Sequence, residues 1–135
     1  MYMEEQQTTI YEHLGGDELF KKLVDAFYAR VEKDPLLRPI FPEDLEPGKK
    51  WQFLFITQYF GGPSRYIIER GHPRLRMRHM TFLIDEKIRD AWVNHMLAAL
   101  EEVGIPEPFK SEMRQYFEET GTSMINLDYH QFHQK

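Results

Sequence analysis

This chain is cut repeatedly by residues that regular structure tolerates poorly. Gly15-Gly16, Asp34-Pro35, Gly61-Gly62-Pro63 and the closely spaced Gly104 and Pro106 are its main stops. Glycine gives up the most conformational freedom on ordering, and proline removes a backbone donor and clashes with the preceding turn. Between these stops the apolar residues recur at spacings of one, three and four, which is the period of an amphipathic helix. Leu19, Phe20, Leu23, Val24, Phe27, Tyr28 and Val31 form one such stripe across residues 17–33. No segment reads as a strand, so the expectation is an all-α fold.

The remaining elements follow from the same signals. Thr9-Ile10-Tyr11-Glu12 has the form of a capping box and starts a short first helix. Pro35, Pro39, Pro42 and Pro47 make Leu36 to Pro47 a stiff connector with at most single helical turns, and Phe41 lies inside it. Lys49 to Phe60 is apolar nearly all round, as in a helix packed on several sides. Ser64 to Gly71 has room for a turn or two. Pro73 opens a short helix with Leu75, His79 and Phe82 on one face. Asp85 is an N-cap for a stripe of Ile88, Ala91, Trp92, His95, Ala99 and Val103. A last helix runs from near Pro108 to about Leu127 and carries Gly121 at a cost of ~1 kcal/mol relative to alanine.

Composition narrows the functional classes. With 135 residues, 41% of them hydrophobic, the chain can bury one core. The expectation is a single domain over residues 1–135, with its core at about 10–127 and flexible ends at 1–8 and 128–135. No window approaches the about 18 consecutive apolar residues of a membrane span. Met1 is followed by Glu4 and Glu5, not by a basic stretch and an apolar run, which argues against a secretory signal and for the cytoplasm. Cysteine is absent, excluding disulfides, thiolate metal ligands and a cysteine nucleophile. A net charge of -5 gives no basic footprint for nucleic acid, and the cluster from Arg70 to Arg78 is short. H-E-x-x-H, a phosphate-binding glycine loop and G-x-S-x-G are all missing. His130-x-x-His133 has helical spacing but no third ligand nearby and reads as a frayed end.

Four residues remain that carry chemistry. His79 lies between Leu75 and Phe82, and a lone imidazole there is more often a satisfied core residue than a ligand. Gln52 shares a helical face with Phe55, Ile56 and Tyr59; it is either a rim residue or a buried amide needing partners. Tyr28 and Trp92 lie on the inward stripes of different helices, each with one donor to satisfy, and each alone is usually core.

Taken in order, longer runs narrow these readings. Tyr11-Glu12-His13-Leu14-Gly15-Gly16, Phe27-Tyr28, Asp34-Pro35, Phe41-Pro42 and Gln58-Tyr59-Phe60-Gly61-Gly62-Pro63 are followed by Gly71-His72-Pro73-Arg74-Leu75-Arg76-Met77-Arg78-His79 and Asp90-Ala91-Trp92. From about Ile10 to Leu127 this combination resembles the truncated haemoglobins, specifically their second group. The resemblance implies a globin-like two-over-two helical sandwich around a haem, with His79 as the proximal iron ligand. Without cysteine the cofactor is expected to be non-covalent haem b. Tyr28, Gln52 and Trp92 then line the distal side, Phe41 packs on the haem face, Phe55 and Met96 wall the pocket, and Leu75 and Phe82 flank the proximal imidazole. Arg78 is a partner for a haem propionate or a solvated side chain. Gly48 falls where ordinary haemoglobins hold a distal histidine, so no imidazole swings over the ligand, and the missing side chain suggests an opening to solvent. Two departures stand out: Phe41 replaces a tyrosine common in this group, and Gln52 replaces an apolar residue, its amide standing in for the lost hydroxyl.

The implied function is tight binding of O2 and other diatomic gases such as NO or CO. Two donors at roughly 1.5–3 kcal/mol each slow dissociation by roughly 10²–10⁴. Such retention suits scavenging or sensing better than bulk transport. The alternatives are a redox enzyme supplied by an external reductase, and a cofactor-free helical interaction module. Nitric oxide dioxygenation is the stronger enzyme branch, because Gly48 offers no base for peroxide chemistry. Neither nucleic acid nor membrane is an expected partner, and the expected state is a monomer or weak homodimer.

Overall fold

The computed structural model describes residues 8–80 and 82–126, which form seven α-helices and no strand. Helix α1 (Ile10–His13) is started by the predicted capping box: Thr9 Oγ1 accepts from the Glu12 amide while Glu12 reaches back to the Thr9 amide. Gly15 and Gly16 then turn the chain at φ 88° and 91° into α2 (Asp17–Glu32). This helix buries Phe20, Leu23, Val24, Phe27, Tyr28 and Val31, the stripe read from its spacing.

The connector contains a single 3₁₀ turn, Arg38–Ile40. Its carbonyls are satisfied by Arg38, whose guanidinium donates to Pro42 O and Glu43 O at 2.9 Å each. Helix α3 (Glu46–Tyr59) begins most of a turn before Lys49. Pro47 therefore belongs to the helix rather than to the connector. In the first turn its missing N–H has no intrahelical partner to lose, and its fixed φ suits the helix.

The Gly61-Gly62 break is a packing requirement as well as a stop. A Cβ on Gly61, at φ 98°, would lie 2.3 Å from Thr9 Cβ, and one on Gly62 would lie 2.8 Å from both Thr57 O and Tyr11 Cδ1. The two glycines let α1 close on the end of α3, where the Tyr11 amide donates to Phe60 O at 2.9 Å. Helix α4 (Arg65–Arg70) is fastened nearby, because Arg65 and the Tyr11 hydroxyl both donate to Asp17.

Helix α5 (Leu75–His79) follows Arg74, whose φ of 47° is left-handed. Pro73 thus precedes the helix rather than opening it. The helix stops at His79, so Phe82 lies beyond its end rather than on its face. Helix α6 (Glu86–Glu102) is capped by Asp85, which accepts from the Ile88 amide at 2.9 Å. Helix α7 (Phe109–Ser123) ends short of the expected Leu127, which lies outside the described residues, as do His130 and His133.

The main packing runs α3 to α2, α2 to α6 and α6 to α7, with α4 on the outside of α3. Two helices are laid over two, and Phe27, Val31, Met96, Ala99, Leu100, Met113 and Phe117 fill the space between them. Gly121 sets the closeness of α6 and α7, since a Cβ there would lie 2.7 Å from Val93 Cγ2. His95 of α6 meets Asp34 at 2.6 Å, and Asp34 also accepts from the Leu36 amide at 2.8 Å. The His95 hydrogen bond, reinforced by the Leu36 amide, holds the Asp34 carboxyl below the usual aspartate range. Among the described residues no helix is long and apolar enough to cross a membrane.

Candidate functional site

Helices α2, α6 and α7 and the connector bring one aromatic cluster together. Phe27 and Tyr28, adjacent on α2, meet edge to face at 5.3 Å between ring centroids. Phe41, presented by the connector, meets Tyr28 at 5.9 Å and 84°. Trp92 of α6 meets Phe27 at 5.5 Å and Phe117 at 6.0 Å. Met96, one turn further along α6, is completely buried.

Gly48 joins this cluster in a way its sequence position does not reveal. A Cβ on Gly48 would lie 2.8 Å from the Tyr28 hydroxyl oxygen. The space expected to open to solvent is thus occupied by a tyrosine from the neighbouring helix. Tyr28 is only 5% exposed, and burial pushes its phenol up to about 12, so at neutral pH it carries its proton. Gln52 follows Gly48 by one turn on α3. Its Oε1 is buried and finds no hydrogen-bond partner among the described residues. An unpaired buried amide oxygen costs roughly 1–3 kcal/mol, and buried polar groups in folded proteins are normally paired. Phe55 is half-buried on the α4 side of α3, edge-on to Tyr66 at 5.4 Å.

His79 lies on a separate, more exposed segment. Its Nδ1 is 2.6 Å from Leu75 O. A carbonyl can only accept, so Nδ1 is the protonated nitrogen of this pair, and the neutral ring keeps its lone pair on Nε2. Arg78 is exposed and its Nε donates to Pro73 O at 2.8 Å. Large apolar side chains of the same stretch are exposed: Met77 is 57% exposed, Leu83 47% and Phe82 39%. Met77 and Leu83 carry no periodic signal in an arginine-rich stretch, and sequence reasoning did not single them out.

Sequence reasoning also missed Asn126. It is 1% exposed, and it joins the His79 segment to the end of α7 through the carbonyls of His79 and Phe82 and the amide of Ile84. Nothing in the local sequence signals this, because its partners lie more than forty positions upstream. Among the described residues no three His, Asp or Glu side chains converge as a metal site. Two surface cavities, of about 420 Å³ between α1, α3 and α7 and about 240 Å³ between α6 and α7, include none of Tyr28, Gln52, His79 or Trp92 in their walls.

Comparison with known proteins agrees with this arrangement. Residues 9–126 match the family model of the bacterial-like globins. A group 2 truncated hemoglobin of Bacillus subtilis is 44% identical over 111 residues, which is 82% of this chain and 84% of the relative. The crystal structure of a hemoglobin from the thermophilic phototroph Chloroflexus aurantiacus superposes with a TM-score of 0.87 at 58% identity, covering 89% of this chain and 99% of that one. A solved truncated haemoglobin of Bacillus subtilis, described as oxygen-avid, superposes with a TM-score of 0.85 at 43% identity, covering 88% of this chain and all of that one. The chain therefore belongs to the bacterial-like globin family. Within it, the fold and the relatives define a group II truncated haemoglobin, built two helices over two.

Proposed function

We propose that His79 Nε2 would hold one non-covalent haem b and that the protein retains O2 and other diatomic gases, for scavenging or sensing rather than bulk transport. The observation that carries the reading is the His79 Nδ1 to Leu75 O hydrogen bond of 2.6 Å. That bond fixes the tautomer and ring orientation that a metal-ligating imidazole requires. The residues fit such a cofactor. Met77, Phe82 and Leu83, all within four positions of His79 in the chain, are exposed apolar side chains, suited to a flat hydrophobic group. The buried oxygen of Gln52 marks a polar side chain whose hydrogen bonding the other described residues do not complete.

When bound, the haem supplies an iron that takes a diatomic gas reversibly. The chain's own residues do the rest. Tyr28 keeps its proton across the physiological range and offers an O–H donor. Trp92 can only donate through Nε1, and Gln52 donates through its amide nitrogen. Phe41 and Met96 make the surroundings apolar, which strengthens each hydrogen bond and limits water entry. Arg78, on the exposed side of α5, would pair with a propionate. The oxygen-avid character given to the Bacillus subtilis relative supports the same direction of function.

Purified protein should show a Soret band, and His79→Gly should lose haem or need added imidazole to keep it. An unchanged Soret band and ferrous spectrum in that variant would remove His79 from the site.

A further inference from the structure

Helix α5 cannot place His79 by itself. It has five residues, none buried, no side-chain cap at its start and a left-handed residue, Arg74, leading into it. A single turn of helix is below the length at which its own hydrogen bonds make it stable. The anchorage comes from the run just after α7. Asn126 Nδ2 donates to His79 O at 3.1 Å and to Phe82 O at 2.8 Å. Its Oδ1 accepts from the Ile84 amide at 2.8 Å, and its own amide donates to Ile84 O at 2.9 Å. Arg76 adds a brace, donating from Nε to Ser123 O and from Nη2 to Ile125 O at 3.2 Å each. Both N–H donors of the Asn126 side chain are thus spent on the two carbonyls that bracket the exit from His79.

We propose that Asn126 is a positioning residue for His79, fixing the imidazole relative to the α6–α7 pair that carries Trp92, with Arg76 bracing the same segment. The inference rests on His79 being the iron ligand. The amide suits the task because it combines two donors with an acceptor in one buried group. Aspartate has nearly the same size and can still accept from Ile84, but when ionised it donates to neither carbonyl and faces both with negative charge.

The test uses ferrous, gas-free holoprotein carrying Asn126→Asp, with Arg76→Ala as a more exposed second variant in case the first does not fold. Resonance Raman reads the iron–imidazole stretching band, and transfer to excess apomyoglobin reads haem loss. Asn126→Asp is expected to shift or broaden the band and to speed haem loss about tenfold or more, because both donor bonds are lost. Arg76→Ala should move both in the same direction by less. The effect of Asn126→Asp on the band should vanish in a His79→Gly background loaded with free imidazole, whose ring has no backbone tether. A parental band with haem loss within twofold of parent overturns the positioning role, as does a band shift that persists in the His79→Gly background. A parental band in His79→Gly itself overturns the ligand assignment instead.

Discussion

The pairing of Tyr28 with Gly48 is the most consequential contact at the scale of single residues. Because a Cβ at position 48 would lie 2.8 Å from the Tyr28 hydroxyl, Gly48→Ala should displace that hydroxyl and raise the O2 dissociation rate in the same direction as Tyr28→Phe. Trp92→Phe should raise it about tenfold if one bond of ~1.5 kcal/mol is lost. Stopped-flow displacement measures all three. Since burial raises the Tyr28 phenol to about 12, its donor stays protonated, and its contribution to dissociation should be flat from about pH 6 to 9. A step in the Tyr28-dependent part of the rate within that range would contradict a neutral phenol. Helical spacing was enough to turn Tyr28 and Trp92 inward. It could not assign His79 as a ligand without the longer motif. It also left Gly48 as an apparent opening, because the spacing of one helix is silent on what its neighbour inserts.

Among elements, the seam between α6 and α7 turns on Gly121. Alanine is intrinsically the better helix residue by ~1 kcal/mol. At this position its methyl would meet Val93 Cγ2 at 2.7 Å, so the packing cost should win. Gly121→Ala is expected to lower stability by about 1–3 kcal/mol, the usual cost of an overfilled core, as read by denaturant unfolding. A stabilised variant would mean that the seam relaxes freely. Element starts with a side-chain cap were legible in the sequence, as Thr9 and Asp85 show. The start of α3 was misplaced because Pro47 reads as a breaker unless it falls in a first turn. The short α5 was legible only in outline, since what holds it is Asn126 and Arg76 reaching across the fold.

For the whole molecule, two carboxylates tie separate segments of the chain together and make stability depend on acid. Asp17 is held below the usual aspartate range first by Arg65 and then by Tyr11, and Asp34 first by His95 and then by the Leu36 amide. A folded-state value below the unfolded one, about 3.9, means stability that is present above about pH 4 and lost as pH falls through the folded value. Asp34→Asn should therefore lower the melting temperature at pH 7, by about 4 °C for a loss near 1 kcal/mol, with the difference from parent shrinking towards pH 3. Calorimetry across that range checks it, and a difference that grows on acidification would have the wrong sign.

The tether between His79 and Asn126 also bears on synthesis. Asn126 lies 47 residues after His79, so at translation rates of about 5–20 residues per second it leaves the ribosome roughly 2–10 seconds later. During that interval the Asn126 bonds to the carbonyls of His79 and Phe82 cannot form. Haem captured then would meet a loose, freely rotating segment, and haem captured afterwards a fixed one. With His79 as the proposed haem ligand, chain order would make a fixed binding segment available only late in the life of the polypeptide.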